Sequence, residues 1–163
     1  MSVAQASRLI AGVLVAVGLA RGAQAQAGRT FVSVSGSDAN PCSATAPCRT
    51  FTAALAVTAV GGEVVAVSSG GYGPMVIDKA VQIIAAPGVY AAITATTGTA
   101  VLIRAPSPTT PIGKVVLRGL TLNSLGADRG ILAGATSLHL ENCTINGFAS
   151  GVEFSSTDGT LCG

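Results

Sequence analysis

Apolar and polar positions alternate in short runs over most of this chain. From Glu63 onward, "EVVAV", "MVID", "VQIIA", "AAITA", "AVLIR", "KVVLRGLTLN", "GILAG", "SLHLENCTIN" and "GVEF" follow one another, separated by Gly, Pro, Asn and Ser. A period of two with turn residues between runs predicts short half-buried strands. The one stretch with a helical period is "RTFTAALAVTAVGG" (residues 49–62). There Thr50 is placed to cap the helix, Phe51, Ala54, Leu55 and Thr58 share a face, and Gly61-Gly62 is the expected stop. Ahead of it, Phe31, Val32 and Val34 predict a strand, followed by a turn cluster at residues 36–41.

Two of the strand-like lines are near copies. "KVVLRGLTLN" (114–123) and "SLHLENCTIN" (137–146) align at an offset of 23 positions, and "GILA" (130–133) aligns with "GVEF" (151–154) at 21. Leu117, Leu120 and Leu122 therefore match Leu140, Cys143 and Ile145, while Arg118 and Thr121 match Glu141 and Thr144. A translated repeat is the wrong symmetry for hairpins. The leucine-rich spacing is matched only in part, and no helix fits between the copies. The pattern predicts an all-β solenoid of parallel strands, about four to five coils, with equivalent residues stacked roughly 4.8 Å apart. Leu120 over Cys143 is then an inward ladder, Asn123 over Asn146 a ladder at a turn, and Arg118 over Glu141 a charged pair on the outer face.

Composition narrows the setting. Residues 1–25 read as an export signal: Arg8, then the apolar "LIAGVLVAVGLA", then a small-residue tail with cleavage after Ala25 or Ala27. The apolar run is shorter than the about 20 residues a membrane span requires. Without this segment, Arg8 and Arg21 are lost and seven basic residues face seven acidic ones. A near-neutral chain offers no electrostatic footprint for nucleic acid or a membrane surface. The expected organisation is a signal at 1–25, an N-terminal strand, Cys loop and capping helix at 26–62, and the solenoid at 63–163. The expected location is secreted, periplasmic or cell-surface. In that setting Cys42 and Cys48 are expected to pair. Cys162 is a candidate partner for Cys143, tying the tail to the last coil. No metal set is expected, since no second cysteine pair has zinc spacing and the single histidine lies far along the chain. No cofactor is implied.

The stretches "GGEVVAVSSGGYGPMVIDKAVQIIA", "APGVY", "LRGLTLN" and "LENCTINGF" resemble the right-handed parallel β-helix proteins of the pectin-lyase-like superfamily. The opening "FVSVSGSDANPCSATAPCRTFTAAL" resembles the capping segment of secreted members. The resemblance covers roughly residues 30–155. It implies a capping helix, three faces of parallel strands, and an asparagine ladder at Asn123 and Asn146. It also implies a polysaccharide ligand or substrate.

Chemistry is harder to place. The acids Asp38, Glu63, Asp78, Asp128, Glu141, Glu153 and Asp158 are dispersed, and no catalytic motif of the superfamily is matched, so no catalytic residue is assigned. The candidates for ligand contact are Asp128 and Arg129, in a loop between faces, and the outward His139. Tyr72 and Tyr90 have rings able to stack on sugars, but the resemblance implies that both are structural turn residues, and "APSPTTPIG" (105–113) is either a binding excursion or a plain connection between coils. Asn142-Cys143-Thr144 matches a glycosylation sequon, but Cys143 is expected inward and Asn142 at a turn. The leading expectation is a non-catalytic polysaccharide-binding or surface module. The alternatives are a polysaccharide lyase, hydrolase or esterase, whole or truncated, and an envelope protein that self-associates through an open C-terminal coil.

Overall fold

A computed structural model describes residues 26–107, 111–134 and 137–155. The predicted signal, the centre of the Pro-rich excursion, and the tail carrying Asp158 and Cys162 lie outside the described residues. The chain begins with strand β1 (Ala27–Val32), helix α1 (Phe51–Val57) and strand β2 (Thr58–Ala66). Short strands follow: β3 (Gly70–Gly71), β4 (Met75–Ile77), β5 (Val81–Ala85), β6 (Ala91–Ala95) and β7 (Thr99–Ile103). The series continues with β8 (Lys114–Arg118), β9 (Leu120–Ser124), β10 (Arg129–Gly134), β11 (Ser137–Glu141), β12 (Thr144–Asn146) and β13 (Ser150–Ser155).

Three parallel sheets result. The first has the order β1-β2-β5-β8-β11, the second β3-β6-β9-β12 and the third β4-β7-β10-β13. From β2 onward each strand pairs with the strand three later in the chain, so the backbone visits the three sheets in rotation. That is a solenoid-like arrangement of four coils. The repeat sets its register. Ser137 to Glu141 pair with Lys114 to Arg118, Thr144 to Asn146 with Thr121 to Asn123, and Ile131 to Ala133 with Val152 to Phe154.

The inward positions form stacked apolar layers. Leu117, Leu120, Leu122, Ile131 and Ala133 of β8–β10 are all fully buried, over Ile83, Ile93, Val101 and Ile103 of the coil before. Each buried leucine, isoleucine or valine among them contributes about 1.5–3 kcal/mol relative to exposure. The shift from an offset of 23 to one of 21 falls in the connection before β13, where the loop is two residues shorter.

Helix α1 is shorter than its periodicity predicts. Thr50 caps it as expected, accepting from the Ala53 N–H at 3.2 Å, and Phe51, Ala54 and Leu55 are buried. The chain then leaves the helix at Thr58, not at Gly61-Gly62. Val57, Thr58 and Val60 are β-branched and favour extended backbone. The buried Thr58 hydroxyl donates to Ala54 O at 2.6 Å and meets Thr30 Oγ1 at 2.8 Å, which ties the helix end to β1. Gly61, at φ +76°, lies instead in an irregular stretch of β2, where pairing with β1 jumps from Ala27–Thr58 to Arg29–Glu63.

The Cys loop shields the outer edge of β1. Phe31 N–H donates to Cys42 O, Ser33 N–H to Cys48 O, and Cys48 N–H to Phe31 O, at 2.8–3.0 Å. A covered edge offers no template for further pairing. The Cys42 and Cys48 sulfurs are at disulfide distance, with Cα atoms 4.6 Å apart. No helix among the described residues is long and apolar enough to cross a membrane.

Candidate functional site

The outer face of the first sheet gathers more ionisable side chains than the strands of either other sheet. One outward row runs in register through Arg29, Glu63, Gln82, Val116 and His139, and the next through Val65, Ile84, Arg118 and Glu141. Arg29 is ion-paired to Glu63 and Arg118 to Glu141. His139 is outward and opposite Val116, as the repeat predicts, and its Nε2 lies 2.7 Å from Glu141 Oε1. Glu141 is held below the ordinary carboxylate range, first by the hydrogen bond from Arg118 and then by that from His139. Arg118 is correspondingly raised by the Glu141 hydrogen bond and charge, with a smaller contribution from Glu63. Between these groups a shallow basin of about 430 Å³ is lined by Glu63, Ile84, Arg118, Asn142 and the 86–89 loop. Exposed pairs of this kind contribute little stability each. Their effect is to fix charge in a regular array.

Asp128 and Arg129 have separate partners. Asp128 is exposed in the loop between the second and third sheets, and its backbone bonds to Gly98 O and from Ser150 N–H. Arg129 opens β10 and turns to Glu153 of β13 at 2.7 Å. The cross-strand link replaces any pairing inside the loop.

Among the described residues, Asp38, Glu63 and Glu141 stand apart. Asp38 accepts from the Arg49 and Thr50 N–H groups at 2.8 Å and from the Thr50 hydroxyl at 2.9 Å, so it clamps the start of α1. Glu63 and Glu141 share a face, but β5 and β8 intervene, a separation of about 14 Å at the usual strand spacing. Glycoside hydrolysis uses two carboxyl groups about 5–9.5 Å apart. Among the described residues no three His, Cys, Asp or Glu side chains cluster in a metal-holding group.

The asparagine ladder is present. Asn146 pairs with Asn123 across β12 and β9, and Asn146 Nδ2 donates to Asn123 Oδ1 at 3.3 Å. Asn142 sits at φ +51°, a left-handed turn position. Cys143 is half-buried and packs against the core, its thiol 3.3 Å from Leu117 O. Its proposed link to Cys162 falls outside the described residues. Tyr72 is buried, its ring 5.0 Å from that of Phe51 and its hydroxyl donating to Ser68 O, so it is unavailable to a ligand. Tyr90 is exposed and accepts from Asn123 Nδ2 at 3.3 Å. That contact was not apparent from the sequence, because the two residues lie 33 positions apart and Tyr90 falls outside the visible repeat.

No family model matches this chain, and neither the curated proteins nor the solved structures contain a significant match.

Proposed function

We propose that this chain is an exported right-handed parallel β-helix of the pectin-lyase-like superfamily, serving as a non-catalytic polysaccharide-binding or surface module. The carrying observation is the state of its glutamates. Glu63, Glu141 and Glu153 are each ion-paired to an arginine from the preceding strand of the same sheet. A carboxylate held this way is a surface link; Glu141 is moreover held below the ordinary carboxylate range by Arg118 and His139, and general acid catalysis needs the reverse. Three sheets in rotation, the Asn ladder and the helix at one end support the β-helix assignment. The cysteine pair at disulfide distance fits an oxidising compartment.

The test is a glycan array with the purified chain, run beside turnover assays on pectins, alginates and neutral glycans. Binding without turnover is the expected result. Cleavage of any of these polymers overturns the non-catalytic reading, and an array without signal overturns polysaccharide binding. Mass analysis of the exported protein should place its N-terminus after Ala25 or Ala27.

A second reading is self-association through the last described coil. Leu140, Val152 and Phe154 are 36–57% exposed although their register is inward. A sedimentation profile that shifts with concentration supports it, and a monomer at all concentrations removes it.

A further inference from the structure

The three outer faces differ in charge, and the difference selects a ligand. The first and third sheets carry the Arg–Glu pairs. The strands of the second sheet contain no Asp, Glu, Lys, Arg or His. Its outward positions are Gly71, Ala92, Thr121 and Thr144 in one row and Thr94, Asn123 and Asn146 in the next. This is a flat array of hydroxyl and amide groups, repeated at the strand spacing of about 4.8 Å.

Tyr90 lies on this face. It precedes β6, whose Ala91, Ile93 and Ala95 are fully buried, so positions 90, 92 and 94 face outward. Its hydroxyl reaches Asn123, whose strand partner is Thr94, four positions beyond Tyr90. The side chain therefore runs along the sheet instead of standing away from it. Ala92, outward and between the two, is only 6% exposed, as expected beneath an aromatic ring. Tyr90 itself is 53% exposed, so its other face is open. A Cβ built on neighbouring Gly71 would meet nothing within 4 Å, which leaves the approach clear.

The hydrogen bonds run in one direction. Asn146 Nδ2 donates to Asn123 Oδ1, and Asn123 Nδ2 donates to the Tyr90 oxygen. The row leaves the Tyr90 O–H free to donate at one end and the Asn146 carbonyl free to accept at the other.

We infer that the second sheet is the ligand face, and that it takes a neutral glycan chain whose pyranose ring stacks on Tyr90 while its hydroxyls bond to Thr121, Asn123, Thr144 and Asn146. The inference rests on the polysaccharide-binding reading and adds to it the face and the chemical class. The C–H face of a pyranose suits the electron-rich face of a phenol ring. An acidic glycan is the poorer match, because the strands of this face carry no cation, the strand arginines of the flanking sheets are paired to glutamates, and Arg49 at its edge is engaged by the Gly71 carbonyl and the Tyr72 ring.

The experiment titrates the chain with β-linked hexasaccharides of glucose, mannose and xylose and with hexagalacturonate, following affinity and amide shifts by NMR. A neutral hexasaccharide should bind with shifts confined to β6, β9 and β12. Tyr90→Ala should weaken it by roughly tenfold or more. Tyr90→Phe, which keeps the ring, and Asn146→Ala should each weaken it about threefold. Arg118→Ala, on the first sheet, should leave it unchanged. Unaltered thermal melting of Tyr90→Ala secures the comparison, and Asn146→Ala carries the same test should that variant fold poorly. Neutral binding that survives both substitutions, or that maps to another sheet, overturns this site while the binding-module reading stands. Binding of hexagalacturonate alone overturns the neutral class. Binding of no glycan removes both.

Discussion

The coil β8–β10 and the coil β11–β13 share one apolar pattern, and their burial differs. In the first, Val115, Leu117, Leu120, Leu122, Ile131 and Ala133 are fully buried. In the second, the equivalent Leu138, Leu140, Cys143, Ile145, Val152 and Phe154 are half-buried or exposed, and no residue from Ser137 to Ser155 is buried. The alternation of the sequence decides which way each side chain points. Burial in a solenoid requires in addition a layer on both sides, and among the described residues β11, β12 and β13 pair with strands on one side only.

The largest expected effect tests this contrast directly. Leu117→Ala should destabilise the protein by about 3 kcal/mol, from lost burial and the cavity left in a closed layer. Leu140→Ala, at the matching position with 36% exposure, should cost under about 1 kcal/mol. Urea unfolding of the two variants measures both. Equal losses would mean that the last coil is as tightly packed in solution as the one before it, and the contrast would be gone.

The other end of the stack owes its order to local devices. Replacing both Cys42 and Cys48 with serine should cost about 2 kcal/mol if the sulfurs are bonded, as expected for a short closed loop. Chemical denaturation with and without a reducing agent reads the same difference in the unaltered chain. Thr50→Ala should cost about 1 kcal/mol through loss of the cap that accepts from Ala53. Both substitutions should leave amide protection in β9 and β12 intact. Loss of protection in those distant strands would show that the two ends unfold as one unit and that local bonding is the wrong account of the first.

Much of this contrast was legible in the residues. The offsets of 23 and 21 gave the strand register of the last two coils and the outward pair Arg118 and Glu141. Other features were hidden for physical reasons. Strand β3 is two glycines, which carry no periodicity. The end of α1 is set by the Thr58 hydroxyl and its partners Ala54 and Thr30, a tertiary arrangement that overrides the Gly-Gly stop signal. The Arg29–Glu63 pair sits across an irregular ladder where β2 spends extra residues, so no constant offset announces it. Arg129 reaches Glu153 diagonally, since its in-register partner is Ser150. On the candidate face of the second sheet the repeat announced Asn123 over Asn146, but Tyr90 was a single letter outside it. Only the stacking of coils brings them together.

The smallest expected effect is an acid one, and it again separates the two ends. Burial alone would raise Asp38 above its ordinary 3.8. The hydrogen bonds from Thr50 and Arg49 and the Arg49 charge outweigh it, and the net shift is downward. Glu141 is lowered from its ordinary 4.5 by Arg118 and His139. A carboxylate with a lower pKa folded than unfolded binds fewer protons in the folded state, so its contribution is complete above the unfolded value and disappears as pH falls through the folded one. Melting temperature should therefore hold steady from about pH 7 to pH 5 and decline below about pH 4. Asp38→Asn should lower it at neutral pH and flatten the acid decline, because the carboxylate clamps the start of α1. Glu141→Gln, on a coil with no buried residue, should change neither by a measurable amount. An unchanged acid slope in Asp38→Asn would sink the clamp. A larger flattening in Glu141→Gln would show that the surface ladder holds the last coil more firmly than its exposure implies.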